Sequence, residues 1–219
     1  MDTRFNFHQS VEELQGALLR MGGLVEESIS QAVESLAASD EKLARQTVDQ
    51  DDTIDEMMLE IEERCMRLIA LQQPMASDLR IIGTALKIAT DLERISDHAV
   101  DIAKITLRLS GEALIKPLQD IPKMAALVRE MLHESLIAYT KRDIHRAAAL
   151  AERDDQVDKM YSALRNEILG LMNQDFARNR QLSQLMFVAH YLERVGDHCT
   201  NIGEGVIYMV TGKRKDLNI

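Results

Sequence analysis

Between residues 81 and 102, apolar side chains recur at steps of four and three: Ile81, Ala85, Ile88, Leu92, Ile95, Ala99 and Ile102. Steps of that size return to one side of an α-helix, so the stretch predicts a helix with a continuous packing seam. Leu185, Val188, Leu192, Val195, Cys199 and Ile202 draw the same seam later in the chain. The helical period is interrupted near Ser39 and Asp40, at "QQPMAS" (72–77), across "SGEALIKP" (110–117), near Arg142 and Asp143, and around "NQDFARN" (173–179). The pattern predicts six helices, at 5–38, 41–72, 77–109, 118–141, 144–172 and 178–211, with Asp40, Ser77 and Asp143 as N-caps. At about 1.5 Å per residue the longer ones reach roughly 50 Å.

The six helices form two sets of three. "VEESISQAVESLAASD" (25–40) aligns with "VREMLHESLIAYTKRD" (128–143), and "DQDDTIDEM" (49–57) with "ERDDQVDKM" (152–160), both at an offset of 103. "DLERISDHAVDIA" (91–103) returns as "YLERVGDHCTNIG" (191–203) at an offset of 100, so three residues are lost in between, as expected of a loop. The expected architecture is all-α: two tandem antiparallel three-helix bundles related by internal duplication, residues 1–112 and 113–219.

Composition supports this reading. Aromatic residues make up 4% of the chain, Trp is absent, and there are only 3 Pro and 10 Gly, a mixture that favours helices over sheets. "MGG" at 21–23 weakens the first helix and reads as a site of close packing or a bend. The net charge of −10 argues against a nucleic-acid partner. The basic "GKRK" at 212–215 reads as a solvated helix end rather than a lipid-binding patch. The N-terminal "MDTRFNFHQS" lacks the order of a signal peptide, and no apolar run approaches the length of a membrane span, so a cytoplasmic location is expected. Cys65 and Cys199 do not occupy matching places in the repeats and read as small core hydrophobes.

Against the seam, Glu93, Asp97 and Asp101 step by four and share one helix face, directed away from the apolar stripe. Glu193 and Asp197 repeat the arrangement, with Asn201 in place of the third acid. The second helix of each half adds a pair: Asp51 with Asp55, and Asp154 with Asp158. A hairpin turning at Pro74 puts Asp55 level with Glu93, each 19 residues from the turn, and Asp51 level with Asp97, each 23 away. The second half obeys the same count about a turn between Asp175 and Phe176. Four or more carboxylates are thus expected to converge on a shallow surface site in each half. Like charges at this spacing repel unless compensated, and all-oxygen clusters suit magnesium, calcium, manganese or iron. The alternative is a solvated acidic face. His98 and His198 read as solvated or core-edge residues, with support or ligation of a metal as the other option. Arg94 and Arg194 read as neutralising their acidic neighbours.

Two three-helix repeats with paired E/DxxxD signatures, "QQPMASDLR" (72–80) and two "LERxxDH" blocks resemble the PhoU family over essentially the whole chain. The resemblance implies two three-helix bundles with metal clusters on Asp51, Asp55, Glu93, Asp97 and Asp101, and on Asp154, Asp158, Glu193 and Asp197. The ions expected are iron, manganese or magnesium, and Asn201 departs from a full acidic stripe. The resemblance further implies a negative regulator of high-affinity phosphate uptake and of the phosphate-starvation response. Its partners would be the ATPase subunit of a phosphate ABC transporter and a membrane sensor histidine kinase, with the membrane reached only through them. The scaffold itself is suited to bridging partners or pairing as a homodimer.

The rival is a metal-dependent helical-bundle enzyme, a ferritin-like oxidase or hydrolase. Such sites need inward carboxylates and paired ExxH motifs, whereas the acids here read as outward and the one ExxH runs from Glu130 to His133. No phosphate-cradling Gly loop or nucleophile elbow is present either. A non-enzymatic protein without catalytic residues is the expectation.

Overall fold

The computed structural model describes residues 3–115, 118–174 and 176–217, with side chains from residue 7 onward. Its helices are α1 (Thr3–Ala38), α2 (Glu41–Gln72), α3 (Ala76–Arg108), α4 (Asp120–Lys141), α5 (Ile144–Ala148), α6 (Leu150–Met172) and α7 (Asn179–Thr211), with a 3-10 turn at Phe176–Arg178. Among the described residues there is no strand, and no helix is long and apolar enough to cross a membrane. Lys116, Pro117 and Asp175, in two of the expected breaks, lie outside the described residues.

The duplication is visible in the backbone. Ser39 and Arg142, 103 positions apart, both take a left-handed conformation with φ of 53°. Each is followed by an aspartate that caps the next helix: Asp40 accepts from the Lys42 and Leu43 amides, Asp143 from those of His145 and Arg146. Ser77 does not act as the third cap. α3 begins one residue earlier behind Met75, which makes no side-chain capping bond. The α6–α7 connection, where a three-residue loss is expected, is not shortened: residues 173–178 separate the two helices, against 73–75 between α2 and α3.

The expected single helix at 144–172 is interrupted at Ala149. No breaker residue marks the spot. It lies against α7: a Cβ on Gly203 would stand 2.8 Å from Leu150 Cδ1 and 3.1 Å from the Ala147 carbonyl. Ala103 holds the equivalent place in the first half. The bare backbone of Gly203 thus admits a tighter approach than its counterpart.

α1 and α4 pack against each other, as do α3 and α7, while α2 and α6 lie against helices of their own half. The apolar cores of the two halves consequently merge into one cluster. α3 and α7 run antiparallel: Arg80 donates to the Met209 carbonyl, Thr84 to that of Gly205, and Asp91 meets His198. All seven α3 seam residues and all six on α7 are buried. α3 buries Ile82, Ala89, Val100 and Ala103 as well, a second apolar face beyond the seam. Gly22 of the "MGG" triplet is a close-packing site, since any side chain there would run into Leu136 of α4. Cys65 and Cys199 are buried free thiols, as expected.

Candidate functional site

Each acid cluster sits where an outer helix meets a central one. On α2, Ile54 and Ile61 are buried, and this apolar stripe turns Asp51 and Asp55 toward the groove beside α3. Buried Leu92, Ile95 and Ser96 hold Glu93 and Asp97 at the same groove. Asp51 accepts a hydrogen bond from Ser96 Oγ at 2.7 Å. Arg94 lies 3.3 Å from Glu93 and donates to Asp97 at 3.0 Å. Burial raises the Asp51 carboxyl above its ordinary range; the Ser96 bond opposes the rise, and repulsion from Asp55 and Asp97 adds to it. Glu93 is raised by burial, then by Asp97, Asp55 and Asp51. The four acids are therefore close enough to repel one another, as the hairpin count requires.

In the second half Asp154 and Asp158 of α6 meet Glu193 and Asp197 of α7. The cluster is more enclosed: Asp154 is only 7% exposed, and the Asp197 side chain is 22% exposed against 41% for Asp97. The serine that serves Asp51 is replaced by Gly196, and a Cβ there would stand 2.9 Å from Asp154 Oδ1. Burial, followed by repulsion from Asp158, Asp197 and Glu193, pushes Asp154 up to about 7. Asp158 and Glu193 are raised too, each first by burial and then by Asp197. Arg194 bonds to Asp197 as Arg94 does to Asp97.

The sequence groups Asp101 with the first cluster, and the structure turns it toward the α3–α7 interface. Tyr191 donates to it, and burial followed by the Asp101 charge raises the phenol. Its counterpart Asn201 reaches across to Asp91 at 3.5 Å, beside the His198 contact to Asp91 at 3.0 Å. The acid-to-amide change at 201 thus suits an acidic partner on the opposite helix. His98 and His198 lie near the pseudo-twofold axis, with ring centroids 5.7 Å apart. Burial, then the charges of His198, Arg194, His190 and Arg94, lowers His98 to about 4 and keeps it neutral. Sequence reasoning missed the roles of Ser96, Asp91 and Tyr191. All three lie in the repeated motif, but their value depends on the facing helix.

Among the described residues, no group of three or more His, Cys, Asp or Glu side chains is already arranged to hold an ion. The donors nevertheless fit a hard cation. Glu93 Oε2 and its counterpart Glu193 Oε2 are buried without a hydrogen-bond partner. Arg94 Nε stands 3.3 Å from the first and His190 Nδ1 3.4 Å from the second. Orphaned carboxylate oxygens beside mutually repelling acids are groups that a cation satisfies.

A family model described as the PhoU domain matches twice, over residues 18–106 and 121–206. The chain is 46% identical over 217 residues to a protein of Clostridium acetobutylicum named as a homolog of the phosphate-specific transport system accessory protein PhoU, covering 99% of each chain. A Zymomonas mobilis protein of the same name is 39% identical, over 95% of this chain and 88% of its own. Among solved structures, PhoU from Pseudomonas aeruginosa superposes with a TM-score of 0.90 at 36% identity, covering 94% of this chain and all of that one. The phosphate transport system regulatory protein PhoU from Streptococcus pneumoniae gives 0.88 at 33%, over 96% and 99%.

Proposed function

The chain belongs to the PhoU family, and from that premise we propose that it is a non-enzymatic accessory protein of a phosphate-specific transport system, repressing phosphate uptake and the phosphate-starvation response. The observation that carries this reading is likeness along nearly the whole chain to proteins named for that role. Its partners are the transporter's ATPase subunit and a membrane sensor histidine kinase, contacted from the cytoplasm, with a homodimer as the working unit.

The carboxylate clusters give the role a physical basis. Iron, manganese or magnesium, held by Asp51, Asp55, Glu93 and Asp97 and by Asp154, Asp158, Glu193 and Asp197, neutralises acids that otherwise repel. A bound cation also draws α2 toward α3 and α6 toward α7, stiffening the surfaces presented to partners. The clusters lie in grooves between helices rather than in an enclosed reaction cavity, an arrangement that favours docking over turnover.

The test is genetic and biochemical together. Deleting the gene should derepress a starvation-responsive reporter in phosphate-rich medium, and the wild-type chain should restore repression. Asp97→Ala combined with Asp197→Ala should lower metal content and impair restoration. A reporter indifferent to the deletion would refute the regulatory reading; normal restoration by metal-free protein would leave the clusters without a part in it.

A further inference from the structure

The geometry points to a second binding site, distant in chemistry from the acid clusters: a basic cavity between the N-terminal half of α3 and the end of α7, which binds a small anion carrying two or more phosphate groups. The cavity measures about 370 Å³ and is lined by Gly83, Thr84 and Lys87 of α3, Gly205 and Tyr208 of α7, and Arg214 and Lys215 of the following segment. That volume falls in the range of roughly 300–1,000 Å³ usual for small-molecule sites. Two glycines keep it open. A Cβ on Gly83 would meet nothing within 4 Å, and one on Gly205 would touch only Thr84.

The charge of the lining reverses that of the protein. The chain carries 36 acidic against 26 basic residues, yet Lys87, Arg214 and Lys215 converge here and enter no ion pair among the described residues. One acid, Glu204, also lines the cavity, and it accepts a hydrogen bond from the Leu217 amide at 3.0 Å. Arg214 lies 5.8 Å from the centroid of the Tyr208 ring, a cation–π position that orders its side chain.

The basic segment is exposed, as expected of a solvated helix end, and it is anchored on both sides. Gly212 turns the chain at φ 71° and packs beside the Arg80 guanidinium. Five residues on, Leu217 is buried near Gly203. The two anchors stretch Arg214 and Lys215 across the cavity opposite Lys87, so the cations are positioned before a ligand arrives. Cations on both walls suit a polyphosphate group better than an isolated orthophosphate. The proposal does not depend on the regulatory role or on the acid clusters.

The experiment is calorimetric titration of the full chain, stripped of metal and held in chelator, with inorganic tripolyphosphate in one arm and a nucleoside triphosphate in the other. Saturable one-to-one binding is expected in at least one arm. Tighter binding of the nucleotide identifies a nucleotide site; equal or tighter binding of tripolyphosphate identifies the phosphate chain as the whole determinant. Arg214→Ala with Lys215→Ala should weaken binding at least tenfold. Gly83→Glu, which improves helix propensity while placing a carboxylate in the cavity, should abolish it without lowering the melting temperature. Absence of saturable binding in both arms, or binding unchanged by both variants, overturns the proposal.

Discussion

The Ser96 hydroxyl donates to Asp51 Oδ1 at 2.7 Å, tying α3 to α2 through a buried serine. The bond opposes the rise that burial imposes on Asp51 and holds it nearer its ordinary ionisation. Ser96→Ala should destabilise the fold by about 1–2 kcal/mol, read from urea unfolding. The Asp51 carboxyl should titrate still higher by NMR. An unchanged Asp51 titration would show that the bond does not govern its charge.

Asp154 lacks such a partner and predicts a pH dependence. Its folded pKa of about 7 lies above the value of about 3.9 expected of an unfolded chain. The folded state holds the proton longer, so stability falls as pH rises through that window, and the loss is complete above it. His98 acts in the opposite sense. Its folded value of about 4 lies below the unfolded value of about 6.5, so its contribution is lost as pH falls between those limits. Above about pH 6.5 the His98 contribution no longer changes, whereas that of Asp154 still does. Melting temperatures of metal-free protein should therefore decline from about pH 6.5 to pH 8, and Asp154→Asn should flatten the decline.

Metal binding should release protons, because a cation needs the ionised carboxylates that burial and repulsion disfavour. Calorimetric titration with manganese near pH 6.5, in two buffers of different ionisation enthalpy, measures the number released. Asp154→Asn should reduce it and weaken the second cluster, leaving the first intact. Equal heats in the two buffers would contradict the coupling.

Neighbouring glycines in α1 should respond in opposite directions. Gly22→Ala drives a methyl group into Leu136 and should cost about 1–3 kcal/mol. Gly23→Ala meets nothing within 4 Å and should stabilise by about 0.5–1 kcal/mol through helix propensity. Denaturant melts of the two variants decide this. Equal effects would mean that α1 and α4 do not pack as closely as described.

Much of this was legible in the sequence because helical periodicity and turn spacing are local properties. The seams of α3 and α7 are buried residue for residue. Asp40 and Asp143 cap as their positions imply. Counting from the two turns brings Asp51 and Asp55 into electrostatic reach of Glu93 and Asp97, as the raised carboxyls record. The second buried face of α3 was not legible as such: beside Ile82 and Val100 it holds Ala89 and Ala103, whose smallness becomes packing only when a neighbouring helix lies against it.

The chain on its own determined the helices, their duplication and the register that aligns acids across each hairpin, since these follow from backbone geometry and residue order. Only the tertiary arrangement decided how enclosed each acid is and what faces it. Asp51 and Asp154 hold equivalent places, yet one meets a hydroxyl and the other a bare glycine backbone. Asp101, in line with Glu93 and Asp97, turns instead to a tyrosine of the other half. The difference is physical: periodicity sets a side chain's direction from its own helix, whereas its charge depends on the groups that neighbouring helices bring to it.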